Sequence, residues 1–199
     1  MSYREFALTD VEAKLGLTLT IEPLFQAVQA VEPRAGFSET LHEGVTVAQG
    51  ANTEKARSEL IIAPILMEFR RLRGNQNALF SGVEFNVDPT IGLNGFCDFL
   101  ITRSSRQYIV TAPVIAVAEG KNDNVNYGLG QCIAEMRAAW VFNALKNEPI
   151  TQIFGATTTG THWKFLRLRD AQVALDSGDY FIRDVGKILG ILLHMAETA

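Results

Sequence analysis

Hydrophobic side chains recur with helical spacing between Asn52 and Arg73. Asn52 and Thr53 are favourable N-cap residues, and apolar residues fall at positions 60, 61, 63, 65, 66, 69 and 72 before Gly74. Pro64 interrupts the segment, and a proline inside a helix removes a backbone donor and clashes with the preceding turn. The pattern therefore predicts a helix with a kink or junction near Pro64.

Three segments of strand character follow, at about 80–87, 95–103 and 114–119, and they are separated by stretches rich in Pro, Gly, Asn and Ser. This spacing is typical of a meander. The third segment is apolar from Val114 to Ala118, so we expect it to be central and buried on both faces. Two more strands are predicted at about 150–158 and 162–168, joined by a turn at Gly160.

Between these two groups of strands, residues 126–145 predict a helix that is apolar on both sides. We expect it to be buried between the sheet and the amphipathic segment Val185 to Met195. Upstream, Pro23 and Pro33 punctuate a stretch that favours one or two short helices. The order of helix, three strands, helix, two strands and helix predicts an α/β fold with a mixed sheet.

The length of 199 residues, of which 47% are hydrophobic, favours a single domain. We divide it into a lead-in at 1–50, a core at 51–168 and a helical carboxy-terminal segment at 169–199. Cys97 and Cys132 lie far apart, which predicts reduced thiols and a cytoplasmic protein. No signal-like or membrane-spanning apolar run occurs, so we expect no membrane association. The net charge of -4 does not by itself favour binding to nucleic acid.

Glu119 is the first candidate for chemistry because it ends the wholly apolar third strand. An ionised carboxylate beside so much buried surface requires a cation or hydrogen bonds. Lys121 lies on the same strand face as Glu119, and Gly120 points away. A simple ion pair at the end of a strand is the alternative explanation.

Asp98 is a second acid inside an apolar strand, Gly95 to Ile101. A hairpin between the second and third strands centred near positions 108 and 109 would place Asp98 opposite Glu119. A tight turn at 104–107 would instead place Asp98 opposite Pro113, about 20 Å from Glu119. Pro113 favours the first register, because proline is tolerated at the start of a strand and not within it.

Glu59 is a third candidate, since it shares a helical face with Ile62, Leu66 and Phe69. The alternative for Glu59 is an early-helix glutamate favoured by the helix dipole. Hard oxygen ligands without a histidine cluster suit Mg²⁺ or Mn²⁺, and a site of three carboxylates leaves positions for water and phosphate.

With Glu59, Asp98 and Glu119-Gly120-Lys121 in this order of elements, the chain from Thr53 to Leu168 resembles the PD-(D/E)XK nuclease superfamily. The resemblance implies a restriction-endonuclease-like αβββαβ core, a central mixed sheet flanked by helices. It also implies metal binding by Asp98, Glu119 and Glu59, and activation or positioning of the attacking water by Lys121. Cys97 stands where the name of the motif has proline.

The resemblance further implies hydrolysis of phosphodiester bonds in nucleic acid, with DNA the expected substrate and Mg²⁺ or Mn²⁺ the cofactor; a homodimer is compatible with it. Gln131 resembles the glutamine of RecB-like exonucleases, and Gly160 to Phe165 is similar to the nuclease region of type I restriction subunits. The alternatives are a helix-surface amide for Gln131 and core packing for Trp163 and Phe165. Candidates for phosphate contact are the cations of two segments, Lys55, Arg57, Arg70, Arg71 and Arg73 near the first helix and Lys164 and Arg167 further on. A solvated charged face is the favoured alternative for most of them.

Two other functions fit the same sequence. One is a catalytically inactive module of the same fold that binds nucleic acid or a protein. The other is a structural partner in a larger complex, with the apolar helix at Val185 to Met195 exposed as a docking surface.

Overall fold

The fold is described by a computed structural model that covers residues 1–199. The strands are Thr18–Glu22 (β1), Ala78–Glu84 (β2), Phe96–Thr102 (β3), Val114–Gly120 (β4), Ile153–Thr158 (β5), His162–Arg169 (β6), Gln172–Asp176 (β7) and Tyr180–Phe181 (β8). The helices are Asp10–Leu15 (α1), Phe37–Ala51 (α2), Glu54–Arg57 (α3), Ala63–Leu72 (α4), Leu129–Leu145 (α5) and Val185–Thr198 (α6). A π-helical segment, Ser58–Ile62, joins α3 to α4.

All eight strands belong to one sheet with the order β1-β7-β6-β5-β4-β3-β2, and β8 pairs with β6. The pairs β4–β5 and β1–β7 are parallel, whereas the other pairs are antiparallel. The predicted α/β class with a mixed sheet is therefore confirmed, as is the meander of β2, β3 and β4. Every residue of β4 is buried, in agreement with its unbroken apolar sequence.

Helices cover both faces of the sheet. On one face α5 packs with α1 and the amino-terminal residues, and on the other face α2, α4 and α6 share a second core. The prediction that α6 covers the outer side of α5 is wrong, because the sheet separates the two helices. Residues 188, 189, 191 and 192 of α6 are buried against the sheet, so this helix is not an exposed docking surface.

Both ends of the chain contribute more regular structure than the sequence suggested. The lead-in forms α1 and also contains β1 and the long helix α2, which the expectation of short helices missed. The segment at 169–199 contains β7 and β8 before α6. Because β1 pairs with β7, the two ends of the chain together complete one edge of the sheet.

The junction predicted near Pro64 is present as the π-helical segment. The amide of Ala63 donates to the carbonyl of Ser58, five residues earlier, which is the wider π pattern. Pro64 has no amide hydrogen to donate to Leu60, the usual partner four residues back. The Leu60 carbonyl instead faces α2, where a Cβ on Gly44 would lie 2.3 Å from its oxygen. A glycine at position 44 therefore lets the two helices approach closely.

None of the helices combines the length and the apolar character that crossing a bilayer requires.

Candidate active site

The register of β3 and β4 brings the two strand acids together. Phe99 pairs with Ala118 and Leu100 with Val117, so paired residue numbers add up to 217. The next pair in this register is Asp98 with Glu119, and the predicted register is confirmed. The ladder shifts only near Thr102, at the other end of β3, which leaves the acidic end regular.

Asp98 is half-buried and is held by the backbone of β4. Its Oδ2 atom accepts a hydrogen bond of 2.8 Å from the amide of Gly120. A Cβ at position 120 would lie 3.2 Å from the same oxygen, so the glycine leaves space for the carboxylate. Asp98 also lines an open cavity of about 260 Å³ that contains only polar residues.

Glu119 is almost completely buried, with 2% of its surface exposed. One carboxylate oxygen, Oε1, accepts from the Lys121 ammonium at 2.5 Å, while the other, Oε2, is buried without a hydrogen-bond partner. Burial, and after it the charge of Asp98, raises the pKa of Glu119 to about 7, even though the ion pair with Lys121 acts in the opposite direction. Burying this carboxyl group therefore lowers the stability of the fold.

Lys121 connects β4 to helix α5. Its backbone amide continues the β4–β5 ladder by donating to Thr158 at 2.7 Å, and its ammonium donates to Gln131 Oε1 at 3.2 Å. Burial disfavours the ammonium, but Glu119 and the other nearby carboxylates more than compensate and raise the pKa of Lys121. This side chain is therefore a fixed positive charge at neutral pH.

Gln131 is buried, with 5% of its surface exposed, and is not a helix-surface amide. Its Nε2 atom donates to Oε1 of Glu135 at 3.0 Å, one turn further along α5. Hydrogen bonds thus run from Glu119 through Lys121 and Gln131 to Glu135. Burial, and after it the charge of Glu119, raises the pKa of Glu135 well above its usual range.

Glu59 lies on the wall of the same polar cavity as Asp98, at the exposed side of the π segment. Its carboxylate forms an ion pair of 2.9 Å with Lys55, and 61% of the side chain is exposed. Glu54, which the sequence analysis did not select, lines the cavity too. The charge of Glu54 contributes to the raised pKa values of both Glu119 and Lys121.

The two acids that sequence analysis missed differ in how they could have been found. Glu135 lies in the middle of a helix that is apolar all round, so an acid at that position is itself a signal. No local pattern distinguishes Glu54 from other exposed acids at a helix start, since its proximity to Glu119 depends on how α3 packs in the folded chain.

Most of the candidate cations for phosphate contact are engaged within the protein. Arg71 binds Glu68, Arg73 contacts Glu197, and Arg167 binds Glu22. Lys164 contacts Asp179, as does His162.

Arg57 is adjacent in sequence to Ser58, which lines the polar cavity, and its side chain binds the loop after β4. It donates to the side chains of Asn122 and Asn52 and to the carbonyl of Thr159. Arg57 therefore ties α3 to the loops that follow β4 and β5.

Trp163 and Phe165 are buried and stack at 6.0 Å between ring centroids. The core-packing explanation for these two residues is confirmed.

The donor set fits a small divalent cation held by two carboxylates. The buried Oε2 atom of Glu119 has no hydrogen-bond partner, and the charge of Asp98 is near enough to raise the pKa of Glu119, so a cation there would compensate both carboxylates. No group of three or more His, Cys, Asp and Glu side chains is close enough together to hold a metal ion. Mg²⁺ commonly uses one or two protein carboxylates and completes its shell with water and phosphate.

Comparison with known proteins assigns no family. No family model matches the chain, and no curated protein matches it. One solved structure with a detectable likeness is the cryo-EM structure of a DrdV–DNA complex, at 13% sequence identity and a TM-score of 0.47. The match covers 82% of this chain and 14% of that one, so this chain corresponds to a small part of the other protein's length. A likeness of this size defines neither a family nor an activity.

Proposed function

We propose that this protein is a Mg²⁺- or Mn²⁺-dependent nuclease that hydrolyses phosphodiester bonds of nucleic acid, with DNA as the first substrate to test. The observation that supports the proposal best is the end of β4, where the buried Glu119 carries one unpartnered oxygen, one ion pair with Lys121 and the neighbouring charge of Asp98. A purely structural ion pair does not require a second acid beside it.

Asp98 and Glu119 would hold the cation. When bound, the cation lowers the pKa of a coordinated water and compensates the negative charge that develops on the phosphate. Glu59 and Glu54 border the cavity in front of Asp98 and would act on the same cation through water. The amide of Gly120 fixes the orientation of Asp98, so this ligand does not have to be ordered on binding.

Lys121 would position the attacking water and stabilise charge in the transition state. Because its pKa is raised, the ammonium stays protonated and donates hydrogen bonds, and it does not serve as a general base at neutral pH. Gln131 accepts one of its hydrogen bonds and Glu119 another, which leaves the third N–H for a water or a phosphate oxygen. Gln131 thus acts in catalysis by holding the lysine.

The test is cleavage of supercoiled plasmid and of end-labelled single- and double-stranded oligonucleotides with Mg²⁺, Mn²⁺ or EDTA. The expected result is cleavage that needs metal and that falls by about 100-fold or more in Asp98→Asn and in Lys121→Met. Asp170→Asn is the matched control. Asp170 follows β6 at the end of the strand away from the site, and asparagine accepts its positive φ of 54°. Cleavage that survives in both site variants, or a wild-type protein that cleaves none of the substrates, would contradict the proposal.

A further inference from the structure

The Gln131 side chain lies between Lys121 and an acid further along α5. Gln131 and Glu135 lie one helical turn apart on α5, and both are buried. The amide nitrogen of Gln131 donates to Glu135 at 3.0 Å, and its carbonyl oxygen accepts from Lys121 at 3.2 Å. Each end of the amide thus has one partner of the complementary type.

The direction of this amide matters because its two ends have opposite polarity. With the NH₂ group turned toward Lys121, a donor would face an ammonium and the contact would be repulsive. An acceptor on the other side of Gln131 disfavours that orientation, and the Glu135 carboxyl group is such an acceptor. We propose that Glu135 is a positioning residue that fixes the Gln131 carbonyl toward Lys121 and thereby holds the ammonium at Glu119; the inference rests on the proposed function.

Glu135 has no other evident reason to be an acid. Its side chain is wholly buried, its second oxygen Oε2 has no hydrogen-bond partner, and its only side-chain hydrogen bond is the one from Gln131. A buried carboxyl group without full partners destabilises a fold, and an apolar residue of similar size is often better there. The raised pKa of Glu135 is compatible with its role, because a neutral carboxyl group still accepts through its carbonyl oxygen.

The test compares two replacements. Glu135→Gln keeps an acceptor at the same place, whereas Glu135→Met keeps most of the volume and removes the acceptor. We expect kcat to fall by about 10- to 100-fold in Glu135→Met and KM to stay unchanged, since Glu135 touches no substrate. Glu135→Gln should retain kcat within a few-fold of wild type.

A variant with both Gln131→Met and Glu135→Met tests whether Glu135 acts through Gln131. If it does, Glu135→Met lowers kcat no further once Gln131 is already methionine. Losses in the double variant that multiply as in independent sites would overturn the proposal. Equal losses in Glu135→Gln and Glu135→Met would overturn it too, because they would point to the charge of Glu135 and not to its acceptor.

A readout without catalysis separates this inference from the proposed function. In the wild-type protein, the side-chain amide protons of Gln131 should exchange with solvent much more slowly, by NMR, than those of the exposed Gln172. Glu135→Gln should preserve this protection, and Glu135→Met should reduce it. Exchange as fast as that of Gln172 in the wild type overturns the proposal even if Glu135→Met fails to fold. A protein that cleaves nothing but protects Gln131 refutes the nuclease function and leaves the orienting role of Glu135 intact.

Discussion

The carboxyl group of Glu119 behaves differently from the carboxyl groups at the protein surface. At the surface, Glu59 is paired with Lys55 in water and costs the fold little. Glu119 is buried next to Asp98, so that ionisation is unfavourable until something positive reaches Oε2. The same side-chain type is therefore solvated at one position and buried with an unpartnered oxygen at the other.

A pH dependence of stability follows from the raised pKa of Glu119. Its pKa of about 7 lies above the usual 4.5, so between these values the folded state holds a proton that the unfolded state has released. Stability should fall as pH rises through this window, by about 3 kcal/mol at most. The side chain in Glu119→Gln cannot ionise. The free energy of unfolding of this variant should therefore increase relative to that of wild type as the pH is raised from 4.5 to 7, as measured by urea unfolding without metal. A stability difference that does not change with pH would argue against the buried ionisation.

Metal binding should raise the stability of the fold, whereas ionisation of Glu119 lowers it. A cation that binds Asp98 and Glu119 in the folded state and not in the unfolded chain raises Tm, by an amount that corresponds to about 2.7 kcal/mol at 100 times the Kd. We expect Mg²⁺ or Mn²⁺ to raise the Tm of wild type at pH 8 and not that of Asp98→Asn. Asp170→Asn serves as control and should shift as wild type does. Equal shifts in all three proteins would place the binding elsewhere.

The sequence predicted the two strand acids and Lys121 of the candidate site from pattern, and Gln131 from a resemblance. Asp98 and Glu119 interrupt apolar runs, and the position of Pro113 selects their register, so sequence and structure agree there. Glu54 and Glu135 come from helices, and their distance from Glu119 is set by packing angles that no local pattern encodes.

Among the elements, the π segment between α3 and α4 connects the fold to the site. Pro64 leaves the Leu60 carbonyl without its usual donor, and the widened turn directs that carbonyl against Gly44 of α2. The same segment places Ser58 and Glu59 on the wall of the polar cavity. The shape of this wall is thus coupled to how closely α2 can approach.

Gly44→Ala tests this close approach. Its methyl group would lie 2.3 Å from the Leu60 oxygen, so the helices must separate, and we expect a loss of about 1–3 kcal/mol in the free energy of unfolding. Gly50→Ala on the same helix meets nothing within 4 Å and should be neutral or stabilising by up to about 1 kcal/mol. Urea unfolding of both variants measures the difference. Equal stabilities would show that α2 has room to move.

Elements that sequence analysis missed carried weak signals for identifiable reasons. In α2, Phe37, Leu41 and Ala48 follow helical spacing, but glycines and β-branched residues between them lower the helical propensity. The strand β1 alternates threonine with Leu19 and Ile21 over only five residues. Its pairing with β7 involves residues more than 150 positions away, which no local window can detect.

At the scale of the whole molecule, the centre of the sheet carries the candidate chemistry and the ends of the chain form an edge. β4 and β5 are covered by helices on both faces and paired on both sides, whereas β1 and β2 are edge strands. Glu119 and Lys121 therefore extend from the most enclosed strand of the protein. Rigid placement of both side chains follows from that position.

Hydrogen exchange should follow this arrangement. We expect the amides of β4 and β5 to exchange only through global unfolding, and those of β1 and the outer side of β2 to exchange through local opening. Mass spectrometry of native-state exchange at increasing urea concentration would rank them. If β1 exchanged as slowly as β4, the edge would belong to the same cooperative unit, contrary to this expectation.

The connection between β3 and β4, residues 103–113, exposes two large hydrophobic side chains, Tyr108 and Ile109. The carboxylates lie at the opposite ends of both strands, about 15 Å from the base of this connection. Insertions or deletions at residues 108 and 109 would therefore leave Asp98 and Glu119 in register. A tag or a second domain is best inserted there. Loss of one codon within β3 would move Asp98 out of register with Glu119 while most of the sheet survived. Selection on this hairpin should thus permit variation at its tip and forbid insertions and deletions along its strands.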